Sequence, residues 1–391
     1  MSVERPVSRN QRPGTSAERR VTRADAIIAI LLILTMLVAA YFRFVGQNWD
    51  EYTHLHPDER FLTQVVSALG STDLAGYFDT AASPLNPDNR GFGFYVYGTL
   101  PLFTVRLAGH LAAALTGDYA YMGYSGIHLV GRTVSAVADL LTILVLFLVG
   151  RRLYSKWVGL LASILYAAAV LPIQLSHFFT TDAFTVLPVT LAMWFAVRAM
   201  DEDHWYDYVL FGLSCGAALA SRVNVLPLVG ILALAVLIRV LPAFDLEVSP
   251  RERWALIGRG AAMLALGAFI AFVVFRVAQP YAFNGDSLLG ITGLNIFDIR
   301  PNQSWLSQMA EVSAQVSGQR DMPPNHQWAS RAPYVFPLRN IIQWGMGLLL
   351  GIAGWLGWLW AGWRVIRGGR GWTRPLLPAA WILIYFGWQG R

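Results

Sequence analysis

Four carboxylates and two histidines fall in one short run, Asn48-Trp49-Asp50-Glu51-Tyr52-Thr53-His54-Leu55-His56-Pro57-Asp58-Glu59-Arg60-Phe61, close behind a long apolar segment. Charges beside an apolar segment carry a desolvation cost, so a cluster this dense reads as a reaction centre rather than idle surface. The chemistry within its reach is proton transfer, because a placed carboxylate can take the proton from an attacking hydroxyl. Pro57 suits the first position of a helix, where its missing N–H would be unpaired anyway. Asp58 and Glu59 then lie in the first turn, where the helix dipole favours anions. Phe61, Leu62, Val65, Val66 and Leu69 recur at helical spacing, and Gly70 follows as a stop. The spacing predicts an amphipathic helix on a membrane surface with its acidic end at the site. The plainer reading, two solvated acids that cap a helix, fits the pair taken alone. The rest of the chain weighs against it.

The elements that must position this run are membrane helices. With 391 residues, 55% of them hydrophobic, 15 Trp and only 14% charged, the composition is that of a polytopic membrane protein. The net charge of +6 comes mainly from short basic stretches beside apolar segments, a topology signal and not a nucleic-acid footprint, so nucleic acid is excluded as a partner. A lone cysteine, Cys215, excludes a disulfide framework or a thiolate metal site.

Residues 1–25 read as a disordered cytoplasmic tail, rich in arginine. The span Ala26–Phe44 lacks a small-residue cleavage site and is read as a retained helix running outward, which delivers the acidic run to the non-cytoplasmic side. A transmembrane catalytic core over 26–278 includes an outer loop at 45–128. Within that loop, Phe94–Leu115 carries Pro101, Arg106 and His110 and is assigned as juxtamembrane or re-entrant, since counting it as a span would put Arg151, Arg152 and Lys156 outside. Further spans are expected at 129–150, 157–175, 183–200, 208–220, 223–238 and 254–277. An outer loop over 279–340 and a C-terminal membrane region over 341–391 complete the chain. Its last apolar segment, Leu376–Trp388, is too short to span, and a longer parent protein is expected. The fold expected is all-α, a polytopic transmembrane bundle with juxtamembrane helices on its outer face. Threading by Lys and Arg alone puts Asp58 and Asp182 on the same side.

Arg132 opens one span and Asp139 lies two turns deeper, on roughly the same face. The pair reads equally as a functional intramembrane ion site or as a bridge between helices. Arg222 ends another outward span, so Asp58, Arg132, Asp182 and Arg222 are expected to converge on the outer boundary. That set has the parts for moving a sugar off a lipid phosphate: arginine forks to neutralise the leaving phosphate, and one carboxylate to deprotonate the acceptor, with inversion at the anomeric carbon.

These residues resemble the GT-C glycosyltransferases, multi-pass enzymes that use polyprenyl-phosphate sugars, and in particular the group of protein O-mannosyltransferases and the lipid A aminoarabinose transferase. The resemblance runs from the first span to about residue 240. It is carried by His56-Pro57-Asp58-Glu59-Arg60-Phe61, by Asp182 after Ser176-His177-Phe178-Phe179-Thr180-Thr181, by Arg132, and by the Gly-rich span from Gly212 to Arg222. It implies Asp58 as catalytic base with Glu59 beside it, and Arg132 and Arg222 near the lipid phosphate. Asp182, Asp50, Glu51, His56 and Trp328 complete the candidate substrate-binding set. Asp50-Glu51 competes with Asp58 for the base role. The family's His-Pro-Pro-Leu-like motif is replaced here by Tyr97-Gly98-Thr99-Leu100-Pro101-Leu102.

The donor implied is a polyprenyl-phosphate sugar, and the acceptor a hydroxyl of an envelope glycan, lipid or protein, met on the non-cytoplasmic face of the inner membrane. No cofactor is expected. His54, His56, Asp58 and Asp182 are conceivable ligands for a divalent ion, but their spacing is weak evidence and no metal is assigned. The rival class, a secondary transporter, would place its polar groups near the bilayer midplane between inverted repeats; here they gather at one face.

Overall fold

The computed structural model describes residues 22–245, 247–286, 295–320, 322–323 and 331–390. Among these it is helical, with one isolated bridge between Phe283 and Pro301 and no strand. The helices are α1 (Arg23–Phe44), α2 (Pro57–Ala68), α3 (Leu74–Tyr77), α4 (Thr99–Thr116), α5 (Ile127–Leu153), α6 (Lys156–Ala167), α7 (Val170–Leu175), α8 (Thr181–Glu202), α9 (Trp205–Leu219), α10 (Leu228–Val240), α11 (Pro250–Ala278), α12 (Gln303–Val316), α13 (Val335–Asn340), α14 (Leu348–Arg367) and α15 (Leu376–Gln389). Among the described residues, six segments are long and apolar enough to cross a membrane: α1, α5, α8, Val223–Phe244 around α10, α11 and α14. The all-α membrane bundle expected from the sequence is what the chain forms.

The main core lies where α5, α8, α9, α10 and α11 meet, around Ala196, Tyr208, Phe211, Cys215, Ile231 and Leu232. α9 reaches α11 through two glycines one turn apart. A Cβ on Gly212 would stand 2.6 Å from the Gly267 carbonyl, and one on Gly216 2.6 Å from that of Ala271. Small residues here let two backbones approach in a setting where lipid supplies no hydrophobic drive between helices. A second core, built from Leu62, Val65, Val66, Leu102, Val105, Ile127 and Phe179, joins α2 and α4 to the start of α5. α4 is not among the six candidate spans and packs on α2 and α5.

Two expected spans differ. Residues 157–175 are not one helix but α6 and α7, parted at Ala168 and Ala169. Pro172 would clash with the carbonyl four residues back in a continuous helix, whereas in the first turn of α7 its missing N–H costs nothing. Residues 208–220 form α9, which starts at Trp205 and has 15 residues, about 22 Å.

Candidate active site

α2 forms as its sequence dictates. Pro57 is its first residue, and the backbone N–H of Glu59 donates to Nδ1 of the capping His56 at 3.2 Å. His56 also packs its ring on Phe178, 4.4 Å between centroids. The cap points Glu59 into the protein and leaves Asp58 exposed at the helix mouth.

Beneath that mouth lies a buried hub. The side chains of Arg132, Asp50 and Glu59 are all 0% exposed. Arg132 donates from Nε and Nη2 to the two Glu59 oxygens (2.7 and 2.5 Å) and from Nη1 and Nη2 to the two Asp50 oxygens (3.0 and 2.9 Å). A further Nη1 bond runs to the Gln47 carbonyl at 2.6 Å. These five bonds match the five N–H donors of a guanidinium. Glu59 also accepts the backbone N–H of Phe179 at 2.7 Å, and the Trp49 ring lies 5.4 Å from the guanidinium. Burial pushes the Asp50 carboxyl up, but the hydrogen bonds and charge of Arg132 outweigh it and hold the group below the usual carboxylate range.

The hub clamps a loop in unusual backbone. Glu51, Tyr52 and His54 all have positive φ, 48°, 67° and 53°. Non-glycine residues persist there only where their surroundings over-determine them. His54 is buried against Tyr124 and His128, with ring centroids 4.2 and 4.3 Å away, and burial pushes its pKa down.

Across the mouth stand Asp182 and Arg222. Asp182 occupies the first turn of α8. Arg222, just past the end of α9, approaches its Oδ1 at 3.3 Å through Nη1 and donates from Nε to Thr181 Oγ1 at 2.8 Å. Both side chains are about a third exposed.

Tyr97 closes the set, and sequence reasoning missed it. Its hydroxyl lies within reach of the Asp58 carboxylate and in the field of Arg222 and Asp182. Burial first, then the Asp58 charge, pushes its pKa up to about 12. It is held there by Gly98, whose N–H donates to the Ser221 carbonyl at 3.1 Å and whose Cβ, if it had one, would stand 1.8 Å from the Ala220 carbonyl. Thr99 then binds Gln279 Oε1 through N–H and hydroxyl, tying the start of α4 to the end of α11. The Tyr97–Leu102 segment is thus the junction that sets α4, α9 and α11 around Arg222. The signals for it were an aromatic run, Phe92, Phe94, Tyr95 and Tyr97, ending on a glycine, and the segment's place where the resemblance expects a His-Pro-Pro-Leu-like motif.

The structure brings Asp58, Asp182 and Arg222 to one mouth, as expected, and places His56 at its edge as a cap. Glu51 is exposed on the clamped loop, and Trp328 lies outside the described residues. Asp50, Glu59 and Arg132 sit below the mouth, engaged with one another. The bridge between Arg132 and Asp139 is not formed: Arg43 of α1 pairs with Asp139, and Tyr166 donates to the same carboxylate at 2.7 Å. Nor do His54, His56, Asp58 and Asp182 form a ligand cluster. Among the described residues, the group with ligand atoms within 4.8 Å of one another is Glu202, His204 and Asp207, at the opposite end and interleaved with Arg152 and Arg198.

Comparison with known proteins adds a fold and a segment. Residues 126–278 match the family model for dolichyl-phosphate-mannose-protein mannosyltransferases. No curated protein sequence matches the chain. The archaeal oligosaccharyltransferase AglB of Archaeoglobus fulgidus, solved with an inhibitory peptide and a dolichol-phosphate, superposes with a TM-score of 0.51 at 14% identity, covering 94% of this chain and 48% of its own. The same organism's oligosaccharyltransferase in the apo form gives 0.50 at 15% identity, over 93% and 48%. The Saccharomyces cerevisiae protein O-mannosyltransferase Pmt1-Pmt2 complex bound to the sugar donor gives 0.47 at 17%, over 66% and 35%. The chain spans about half the length, or less, of these structures. Its fold is that of the GT-C membrane glycosyltransferases.

Proposed function

We propose that this chain transfers a sugar from a polyprenyl phosphate to an acceptor hydroxyl on the non-cytoplasmic face of the inner membrane, with Asp58 as general base. The observation that carries this reading is the division of labour among its acids. Asp58 is exposed beside Tyr97 and the Asp182–Arg222 pair, whereas Asp50 and Glu59 have their oxygens committed to Arg132. That division also favours Asp58 over Asp50 as the base.

The acceptor O–H loses its proton to Asp58 as its oxygen bonds to the anomeric carbon. The bond from that carbon to the phosphate oxygen breaks, and its electron pair leaves with the lipid phosphate. Attack opposite the leaving group inverts the anomeric centre. Arg222 is a cation at the mouth, about a third exposed, and its guanidinium can bind the leaving phosphate. Asp182 orients Arg222. Tyr97 stays protonated far above neutral pH, so its hydroxyl can donate to the Asp58 carboxylate and aim the basic oxygen. Arg132, with every donor engaged, is a positioning residue rather than a phosphate ligand, and Glu59 acts through it.

The test is to incubate the purified protein with a panel of polyprenyl-phosphate sugars and candidate acceptors and to follow release of polyprenyl phosphate. Release that needs an acceptor and vanishes in Asp58→Asn is expected. Sidedness is read separately: cysteines at Tyr119 and Gln303 should label from outside intact cells and one at Gly369 should not. A folded protein that releases lipid from no donor, or an unimpaired Asp58→Asn, would overturn the reading.

A further inference from the structure

At the end of the bundle away from Asp58, α8 hands over to α9 through two residues, Asp203 and His204. Asp203 takes a left-handed turn, φ 55°, and is pinned there: the Tyr208 hydroxyl donates to its Oδ1 and Arg259 Nε to its Oδ2, both at 2.7 Å. The turn brings together Glu202, the last residue of α8, His204, at the N-cap position of α9, and Asp207, in the first turn of α9. Their ligand atoms all lie within 4.8 Å of one another.

Each carboxylate is held by one oxygen and presents the other. Arg152 donates to Glu202 Oε1 at 2.7 Å, and Arg198 Nε lies 2.7 Å from Asp207 Oδ1. Glu202 Oε2 and Asp207 Oδ2 instead face His204 Nδ1, at 3.5 and 3.8 Å. Those separations are long for hydrogen bonds, whereas ligand atoms that share a tetrahedral ion at about 2.0–2.2 Å stand about 3.3–3.6 Å apart. Arg198 Nη2 stops 3.7 Å from Glu202 Oε2, beyond hydrogen-bonding range. The Asp207 side chain is 0% exposed, yet its Oδ2 has no hydrogen-bond partner among the described residues. A buried carboxylate oxygen left without a donor is costly, and a bound cation satisfies it. The imidazole is held in its turn: it stacks on Tyr206 at 4.9 Å, and Arg198 lies over the same ring, 5.8 Å from its centroid.

We propose that Glu202 Oε2, His204 Nδ1 and Asp207 Oδ2 bind a divalent transition-metal ion of the Zn²⁺ class, with water in the fourth position. One imidazole nitrogen with two carboxylate oxygens suits such an ion, whereas Mg²⁺ or Ca²⁺ favours oxygen alone. Arg152 and Arg198 then act as the outer groups that orient ligating carboxylates. The ion staples the end of α8 to the start of α9. Asp182 lies in the first turn of α8 and Arg222 just past the end of α9, so the staple joins the two helices that carry that pair, about 30 Å away along α8. The site does not depend on glycosyl transfer.

The probe is Zn²⁺ alone, titrated calorimetrically into purified, tag-free protein stripped with EDTA, and the thermal unfolding midpoint is read with and without the ion. One equivalent should bind and raise the midpoint. A large excess of Mg²⁺ should not displace it. His204→Ala removes a ligand whose side chain is 48% exposed and should weaken binding about tenfold or more, since losing even a supporting partner of a ligand costs that much. Glu202→Gln should do the same while keeping the side chain's shape, and stands in should the first variant fail to fold. His110→Ala, an exposed histidine on α4, should leave binding unchanged. No stoichiometric binding, a midpoint that Zn²⁺ does not raise, displacement by Mg²⁺, or binding undiminished in both site variants would overturn the proposal.

Discussion

The two ends of the bundle both carry arginines and acids, and they use them differently. Arg132 and Arg152 lie twenty residues apart on α5, about 30 Å, and Asp182 and Glu202 are as far apart on α8. At the Arg132 end, one guanidinium serves two carboxylates, all three side chains 0% exposed, and the trio carries a net negative charge. At the other end, Arg152 is 25% exposed and shares Asp201 and Glu202. Glu202 also has Arg198, and Asp203 has both Arg239 and Arg259. The first arrangement is a single hub without substitutes; the second is a redundant mesh in contact with solvent. A hub of that kind fixes one shape, here the left-handed turns of residues 51–54 and the outward aim of Asp58. A mesh shares its charges among several partners and tolerates the loss of one.

Breaking the hub is the severest test of this contrast. Arg132→Ala strands two buried carboxylates, and removing one partner of a buried ion pair typically costs about 3–5 kcal/mol. The loss is read from urea or thermal unfolding in detergent. Arg132→Lys should rescue little of it, because an ammonium cannot fork to two carboxylates. The hub also has an acid signature. Asp50 titrates lower in the folded state than unfolded, so its stabilisation is fully present above the unfolded carboxylate pKa of about 3.9 and is lost as pH falls through the lower folded value. Stability owed to Asp50 should hold from neutral pH to about 4 and fall below that. A mild Arg132→Ala would make the hub another mesh.

Next in size is Asp58→Asn, which touches the mouth and not the hub. Turnover should fall by roughly a hundredfold or more with little change in donor affinity or unfolding midpoint, since the amide keeps the shape and loses the basic oxygen. Asp50→Asn should reverse that profile, costing stability first. A variant pair in which Asp50→Asn is folded and dead and Asp58→Asn is active would exchange the roles assigned to mouth and hub.

Tyr97→Phe comes third. It removes one hydroxyl that faces a charged carboxylate, a contact worth about 1.5–3 kcal/mol, so turnover should fall about tenfold while folding and donor affinity stay near normal. Unchanged turnover would leave Tyr97 as wall alone.

How much of this was legible in the sequence divides along the same line. α2, with Pro57 first and Asp58 in its opening turn, follows from local chemistry, and the grouping of Asp58, Asp182 and Arg222 follows from the one-sided distribution of basic residues. What periodicity cannot supply is the identity of the neighbouring helix. Arg132 and Asp139 share a helix face, yet Asp139 faces Arg43, 96 residues earlier, and Arg132 faces Glu59 and Asp50. Tyr97 was hidden for the same reason: its place depends on Gly98 meeting the end of α9, a contact between residues more than a hundred apart in sequence. Pro172 is the local signal for the break between α6 and α7, yet Pro188 stands inside the unbroken α8, so a proline in a span does not by itself decide where the helix parts.

The smallest expected effect is at the mesh, and it separates the two ends by their response to salt. Arg152→Ala deletes contacts to Asp201 and Glu202, both well exposed, while Glu202 keeps Arg198. Exposed pairs of this kind contribute about 0–1 kcal/mol each, so the unfolding midpoint should shift little. Raising ionic strength from about 0.1 to 1 M shortens the screening length from about 10 to 3 Å, which should erase the remaining difference from the unaltered protein. The same salt step should leave the deficit of Arg132→Ala nearly untouched, because no mobile ion reaches a side chain with 0% exposure. Equal salt responses at the two arginines would mean that burial, the property on which the whole contrast rests, does not set their strength.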